Sequence, residues 1–377
     1  MGIAGGFMSA TGPLSIALLT PAFPALIEVF STATPTVMAA ATLFFVGFAA
    51  AHLVCGSLSD GLGRRNVGIA FFSFYVLASI VAFFASSIEV LLVARFLQGV
   101  GASAGISISR ALIRDLFMGQ QSARVVNIMY TVVGVGPALG SLLLGAFGYK
   151  SLFAMMIFHG VAMIVFLIYA VPETVSVDLR RIRMTQLVQN FSQLLRSRDF
   201  MLPTLAISGV SGALYGQAAI VPFLLMDELG LTPFHFGLAM FVHAVCHLLG
   251  SLSANFWLRR LEAKAMVTLA QLTIAIAALW LFIAMTFATP TIINIIGPLS
   301  LAVFGAAHSY PTFVTAGLKD FPTIAGSAAS LVGFMQMGAG FLVSLAAGLI
   351  GAPVVSLGIV VTLSLLIASL SGIIWFS

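Results

Sequence analysis

Apolar residues run along this chain in blocks of about twenty or more, and charges and turn formers stand mostly between the blocks. A largely uncharged apolar run of about 20 residues is what a helix needs to cross the hydrocarbon core of a bilayer. Read this way, the punctuation predicts twelve helices, over 11–30, 36–56, 67–87, 90–113, 122–146, 151–171, 201–226, 233–256, 264–287, 292–317, 322–349 and 353–376. One long polar stretch, Pro172–Asp199, separates six helices from six. Inside it, Met184–Leu195 carries apolar residues at helical spacing, which suits a short amphipathic helix lying on a membrane surface. The expected organisation is an N-terminal six-helix bundle over 1–172, a linker over 173–199 and a C-terminal six-helix bundle over 200–377. The fold class is therefore an all-α polytopic membrane protein.

Composition narrows the picture. The chain is 60% hydrophobic and only 7% charged, with mean hydropathy +1.14. A soluble domain carries about 25% charged residues, so this chain cannot cover itself with a water-facing surface. Its 36 glycines suit helices that pack closely in lipid. Two cysteines, Cys55 and Cys246, both sit inside apolar stretches, which argues against a disulfide framework or a metal cage. The first apolar segment has no basic leader and no small-residue cleavage site, and is read as an uncleaved first helix.

The net charge of +5 is better explained by topology than by nucleic acid. Of the 16 lysines and arginines, fourteen fall on one side if the N-terminus is cytoplasmic. They are Arg64, Arg65, Arg110, Arg114, Arg124, Arg180, Arg181, Arg183, Arg196, Arg198, Arg259, Arg260, Lys264 and Lys319. Only Lys150 falls on the other side, and Arg95 lies within a helix. Both termini are thus expected in the cytoplasm, in a bacterial inner membrane. The Arg64-Arg65 pair after the second helix recurs as Arg259-Arg260 after the eighth, and Gly136–Gly145 is echoed by Gly338–Gly348. Two parallel six-helix repeats follow from that.

Three motifs stand out. Gly56-Ser-Leu-Ser-Asp60-Gly-Leu-Gly63-Arg64-Arg65 is placed in the loop after the second helix, where glycines permit a tight turn and Asp60 can pair with an arginine or a helix N-terminus. Arg95-Phe-Leu-Gln98-Gly99 puts an arginine inside an apolar helix, where it is expensive and usually functional, unless it snorkels to the outer interface. Gly134-Val-Gly136-Pro137-Ala-Leu-Gly140-Ser141 lies in the fifth helix, where proline kinks and glycines allow close approach.

With Arg110-Ala-Leu-Ile-Arg114-Asp115, these motifs resemble those of the major facilitator superfamily, and within it the bicyclomycin/chloramphenicol-resistance type of drug:proton antiporters. The resemblance runs over Ser15 to about Gly145. It implies a conformational latch at Gly56, Asp60, Gly63, Arg64 and Arg65, proton coupling at Arg95, and an exporter's hinge at Gly134, Gly136, Pro137 and Gly140. Ser141 and Val132 stand where that pattern usually has glycine.

One departure changes the expected chemistry. That family usually has an acid in the first helix, and Ala17 occupies its place in Ser15-Ile-Ala17-Leu-Leu-Thr20-Pro21. Of the eleven carboxylates, Glu28, Glu89, Asp227 and Glu228 map to outer helix ends. Asp60, Asp115, Glu173, Asp178, Asp199, Glu262 and Asp320 map in or beside cytoplasmic loops. Without a buried acid a cationic substrate lacks a counter-ion, while Arg95 and Arg110 favour an anionic or zwitterionic one. Proton carriage then falls to histidines near the midplane. His243 and His247 share a helix face, His308 is the third candidate, and His52 and His159 follow. Each alone can equally be a structural hydrogen-bonding group. Gln98, Asn127, Tyr130, Tyr215, Gln217, Tyr310 and Gln336 are polar groups deep in apolar helices that join neighbouring helices or face a substrate.

The expected function is proton-coupled export of a small organic molecule by alternating access. The alternative is import of an organic anion or a siderophore-like metal-chelating metabolite. No cofactor, metal or nucleic acid is expected; the partners are substrate, protons and the lipid bilayer, and the chain is expected to work as a monomer. There is no His-Glu-x-x-His and no phosphate loop, which argues against an intramembrane enzyme or an ATPase.

Overall fold

The computed structural model describes residues 2–116, 136–175, 177–178, 184–257, 260, 262–321 and 324–376. The described residues are almost wholly helical. The first span is α1 (Gly2–Leu19), a short turn at Pro21, and α2 (Phe23–Phe30). Then come α3 (Thr34–Leu62), α4 (Arg64–Phe83), α5 (Ile88–Leu116), α6 (described over Gly136–Phe147) and α7 (Lys150–Ala170). The amphipathic helix α8 (Met184–Arg196) follows. The second set is α9 (Arg198–Pro222), α10 (Pro233–Trp257), α11 (Ala263–Phe287), α12 (Ile292–Lys319) and α13 (Ala325–Ile350). Its last span is α14 (Pro353–Ser356) and α15 (Thr362–Phe376), joined by a π-helical turn.

Eleven spans among the described residues are long and apolar enough to cross a membrane, and α6 is a shorter apolar helix, Gly136–Phe147. Their outer faces carry Leu77, Phe84, Phe158, Phe287 and Leu349, each more than 60% exposed. On a soluble protein such a surface would be an aggregation hazard; on membrane spans it is what lipid covers. The helices form two bundles. In the first, α3, α4 and α5 pack together with α1 and α7; in the second, α9 packs on α13, α15 and α12, and α11 packs on α12 and α15. Small residues set the closest approaches. A side chain on Gly47 would strike the Phe96 carbonyl, and one on Gly99 the Phe44 carbonyl, so α3 and α5 meet backbone to backbone.

The predicted loop Gly56–Arg65 needs correcting. α3 stays helical through Leu62, and the chain reverses at Gly63 alone, with φ 97°. A left-handed residue that close to α4 has to be glycine, because a Cβ there would also hit the Glu173 carboxylate. Helix α1 likewise starts at Gly2, well before residue 11. The amphipathic helix falls where the spacing placed it: Leu187 and Leu194 are buried, Val188 is exposed, and Asn190 Nδ2 donates to Ser327 Oγ of the second bundle at 3.0 Å.

The bundles meet along α3–α13 and α1/α2–α9. At the end carrying Arg64, Gly56 lies against Ser330, His52 against Gly333, and Asp60 within about 4.0 Å of the first turn of α13. At the opposite end Phe23 stacks on Phe223, ring centroids 6.3 Å apart, and Ser141 of α6 sits against Gly237 of α10. Among the described residues the two bundles are therefore in contact at both ends.

Candidate functional site

Between these two contact zones lies a cavity of about 70 Å³, walled by α1, α6, α9, α10 and α12. Its wall includes Ala17, Pro137, Tyr215, Gln217, His243 and His247. Both bundles thus contribute, and several residues singled out from the sequence come together here. The space is well below the roughly 300 Å³ at which drug-sized ligand pockets begin. The bundles must separate before a drug-sized molecule could enter.

His243 is the best-defined polar group in this wall. Its side chain is buried, and Gln217 Nε2 donates to its Nε2 at 3.2 Å. An amide N–H can only donate, so the neutral ring carries its proton on Nδ1, which faces Ser300 Oγ at 3.4 Å. To take a second proton at Nε2, His243 needs Gln217 to turn its amide and present Oε1 instead. Protonation is thereby tied to a side-chain rearrangement across α9 and α10. His247 lies one turn on, on the same face of α10 and in the same wall. Among the described residues no group of three or more His, Cys, Asp or Glu could hold a metal.

Arg95 is placed differently from the expectation. It is fully buried, so it does not snorkel, and it is not in the cavity wall. Its Nη1 donates to Gln98 Oε1 at 2.8 Å, its Nε to the Ala40 carbonyl at 3.4 Å, and its guanidinium lies over the Phe44 ring at 4.4 Å. Gln98 Nε2 donates on to Ser79 Oγ at 2.8 Å. Tyr75, one turn from Ser79, pairs its hydroxyl with Ser15 Oγ of α1 at 2.7 Å. Arg95 thus ties α3, α4 and α5 together inside the first bundle and gives the cavity no positive charge from its wall.

The other candidates divide by location. His308 is held by Ser253 Oγ and donates from Nδ1 to the Phe304 carbonyl, joining α10 to α12 away from the cavity. Gln336 Nε2 donates to Tyr310 Oη at 2.8 Å and to Ser211 Oγ at 3.1 Å, joining α9, α12 and α13. Tyr215 also packs on Phe45 across the bundle interface, centroids 5.4 Å apart. Gly136 and Gly140 bring α6 close to Ala17 and Leu18 of α1. Asp60 forms an ion pair with Arg64, and Arg65 Nη2 donates to the Ile168 carbonyl at 2.8 Å. The Arg110 side chain, Asn127, Tyr130 and Gly134 lie outside the described residues.

Two contacts, one of them made by the proton-carrier candidate His52, were not foreseen from the sequence. The Glu173 carboxylate accepts from the backbone N–H groups of Arg64, at 2.7 Å, and Arg65, at 3.1 Å, so it caps α4. His52 donates or accepts at Ser107 Oγ, 2.9 Å away, while its far side meets Gly333. Neither has a local signal, because the partners are about 50 to 280 positions apart in the chain.

The Major Facilitator Superfamily profile matches residues 5–344, most of the chain. The chain belongs to the Major Facilitator Superfamily. Among curated members, multidrug resistance protein D of Escherichia coli (strain K12) is 26% identical over 94% of this chain and 90% of that protein. A chloramphenicol resistance protein of Pseudomonas aeruginosa is 27% identical over 83% of this chain and 75% of its own. An uncharacterized MFS-type transporter, YdgK, of Bacillus subtilis (strain 168) is 26% identical over 97% and 92%. The xylose transporter XylE from E. coli, solved in a partially occluded inward-open conformation, aligns over 100% of this chain and 95% of its own with TM-score 0.71. At 15% identity that match speaks for the fold alone. As a superfamily member the chain is a multi-pass transporter and not an enzyme, and the wall around His243 is its candidate substrate and coupling site.

Proposed function

We propose that this superfamily member is a proton-coupled exporter of small amphiphilic organic molecules, neutral, anionic or zwitterionic but not cationic. It works by alternating access, with the bundles 1–172 and 200–377 rocking about the cavity and 173–199 joining them on the cytoplasmic side of a bacterial inner membrane. The observation that carries this reading is the makeup of the cavity wall. Its described residues include two histidines and Gln217 but no carboxylate, and Ala17 faces the cavity where an acid would serve a cation. Protonated histidines would repel cations further. The relatives' names as drug-resistance proteins support export. The buried Arg95 network lends no support to anion binding, so the charge preference rests on the wall alone.

His243 and His247 are assigned the proton. Proteoliposomes driven by an imposed pH gradient test this with chloramphenicol as substrate. His243→Ala is expected to lower gradient-driven transport about tenfold or more and to flatten its dependence on pH, while His308→Ala keeps both. Unchanged pH dependence in His243→Ala, His247→Ala and the double variant would remove the assignment.

A further inference from the structure

Three contacts between α3 and α13 line up towards the end that carries Arg64: His52 on Gly333, Gly56 on Ser330, and Asp60 near Gly326. The deepest is His52 on Gly333. His52 stands ten residues before the end of α3 at Leu62, roughly 15 Å along the helix. Phe45, two turns the other way, packs on Tyr215 of the cavity wall. The His52 ring is therefore the part of this contact zone that lies next to the cavity.

The ring is buried and held on three sides. It stacks on Phe48, with centroids 5.5 Å apart and planes 19° from parallel. Its Nδ1 faces Ser107 Oγ at 2.9 Å and the Ser103 carbonyl at 3.4 Å, both on α5. Its Nε2 edge lies on Gly333, where a Cβ would overlap that nitrogen. Glycine inside a helix is less favourable than alanine by about 1 kcal/mol. Gly333 sits inside α13 without a positive φ, so the turn of the backbone does not call for glycine there; the ring it seats does.

The charged and titratable groups around this seat are few. On α3 they are Cys55, whose thiol lies beside Ser103 and Ser107, then Asp60 and Arg64, which pair with each other at the helix end. From α5 come the uncharged Ser103 and Ser107, with Arg110 one turn beyond, and from α13 Ser330 and Gly333. Histidine takes up and releases a proton in the physiological range. A second proton gives the ring a full charge and an N–H on both nitrogens, with the Nε2 edge pressed on the α13 backbone. The neutral ring fits this seam between helices, whereas a charged ring is favoured where α13 has moved off and water reaches it.

We infer that His52 is a second coupling residue, which works the cytoplasmic gate: its neutral ring seats on Gly333 and holds α3 to α13, and its protonated ring leaves the seat and opens the cavity inward. The inference rests on the export reading and deepens it. Antiport requires the proton-loaded carrier to open to the cytoplasm, and to close again once the proton has left and substrate is aboard. A ring that seats only when neutral meets both conditions, and it stands between the cavity and the cytoplasm, where the proton departs.

Spin labels on Leu62→Cys and Gly326→Cys, exposed positions on either side of the contact, report its opening by pulsed electron resonance on the full-length protein in nanodiscs. Cys246→Ser removes the half-buried native thiol, and Cys55 is fully buried. Histidine ordinarily titrates between about pH 8 and about pH 5.5. Over that span the ratio of long to short distances is expected to rise about tenfold, the change that a tenfold difference in proton affinity between the two arrangements produces. His52→Gln keeps a polar side chain without a titrating ring, and should remove this pH response. Gly333→Ala fills the seat and should give long distances throughout. His52→Gln keeps the test sound if Gly333→Ala fails to fold. A ratio unmoved by pH in the protein with His52 present, or a response retained in full by His52→Gln, overturns the inference. Chloramphenicol transport on the same proteins separates the two readings. Gradient-driven transport with a contact that ignores pH sinks only the role of His52, and a contact that answers to pH without gradient-driven transport sinks only the export reading.

Discussion

Ala17 is a single methyl in the cavity wall, packed against the close approach of Gly136, and it sets the electrostatics of the site by what it lacks. An acid there would stand in the same wall as His243 and His247 and supply the counter-ion that a lipophilic cation needs. Ala17→Asp is therefore expected to give the protein measurable ethidium efflux and to raise the ratio of ethidium to chloramphenicol transport about tenfold. An unchanged ratio in a folded, membrane-inserted variant contradicts the assignment of the wall. At this scale the sequence was legible where a residue is conspicuous alone. An arginine in an apolar helix and a histidine pair four apart both stand out. What each one touches was not legible, because Gln98, Ser79 and Ala40 hold Arg95 through tertiary packing, and Gln217 reaches His243 from another helix. The expectation that Arg95 charges the cavity failed for that reason.

The α3–α4 junction shows how an element boundary is made. Gly63 supplies the left-handed turn, and Glu173, from beyond the end of α7, puts its carboxylate on the exposed N–H groups of α4. A carboxylate cap acts through both the hydrogen bonds and the helix dipole, for about 0.5–2 kcal/mol. Glu173→Ala should lower the midpoint of thermal unfolding in detergent by a few degrees. Gly63→Ala should do the same, through the backbone strain and the clash with Glu173. The double variant should lose less than the two singles together, because the clash is shared. Strict additivity would count against the shared contact. The motif was recognisable from its residues, but its extent was not. Gly56, Ser59 and Asp60 read as loop formers, yet they stay in α3 because that helix is packed against α13 and Ser59 and Asp60 are tied to Arg64. Tertiary contact overrides local propensity there.

For the whole molecule, composition and block pattern carried most of the fold, since so few charges leave only membrane spans as a way to bury the chain. The arrangement of spans was not in the pattern, and it is what creates function. It puts α3 against α13 and Phe23 against Phe223, closing the bundles around a space too small for a drug. Alternating access requires these two contacts to open in turn, and in the proposed export cycle protons move opposite to the substrate. The most direct measurement uses inside-out membrane vesicles containing the protein, given radiolabelled chloramphenicol and an imposed gradient with the lumen acidic. The account predicts that drug accumulates in the acidic lumen, that accumulation collapses on adding a protonophore, and that vesicles with His243→Ala show little of it. Uptake that ignores the gradient, or drug leaving the acidic lumen together with protons, would contradict it.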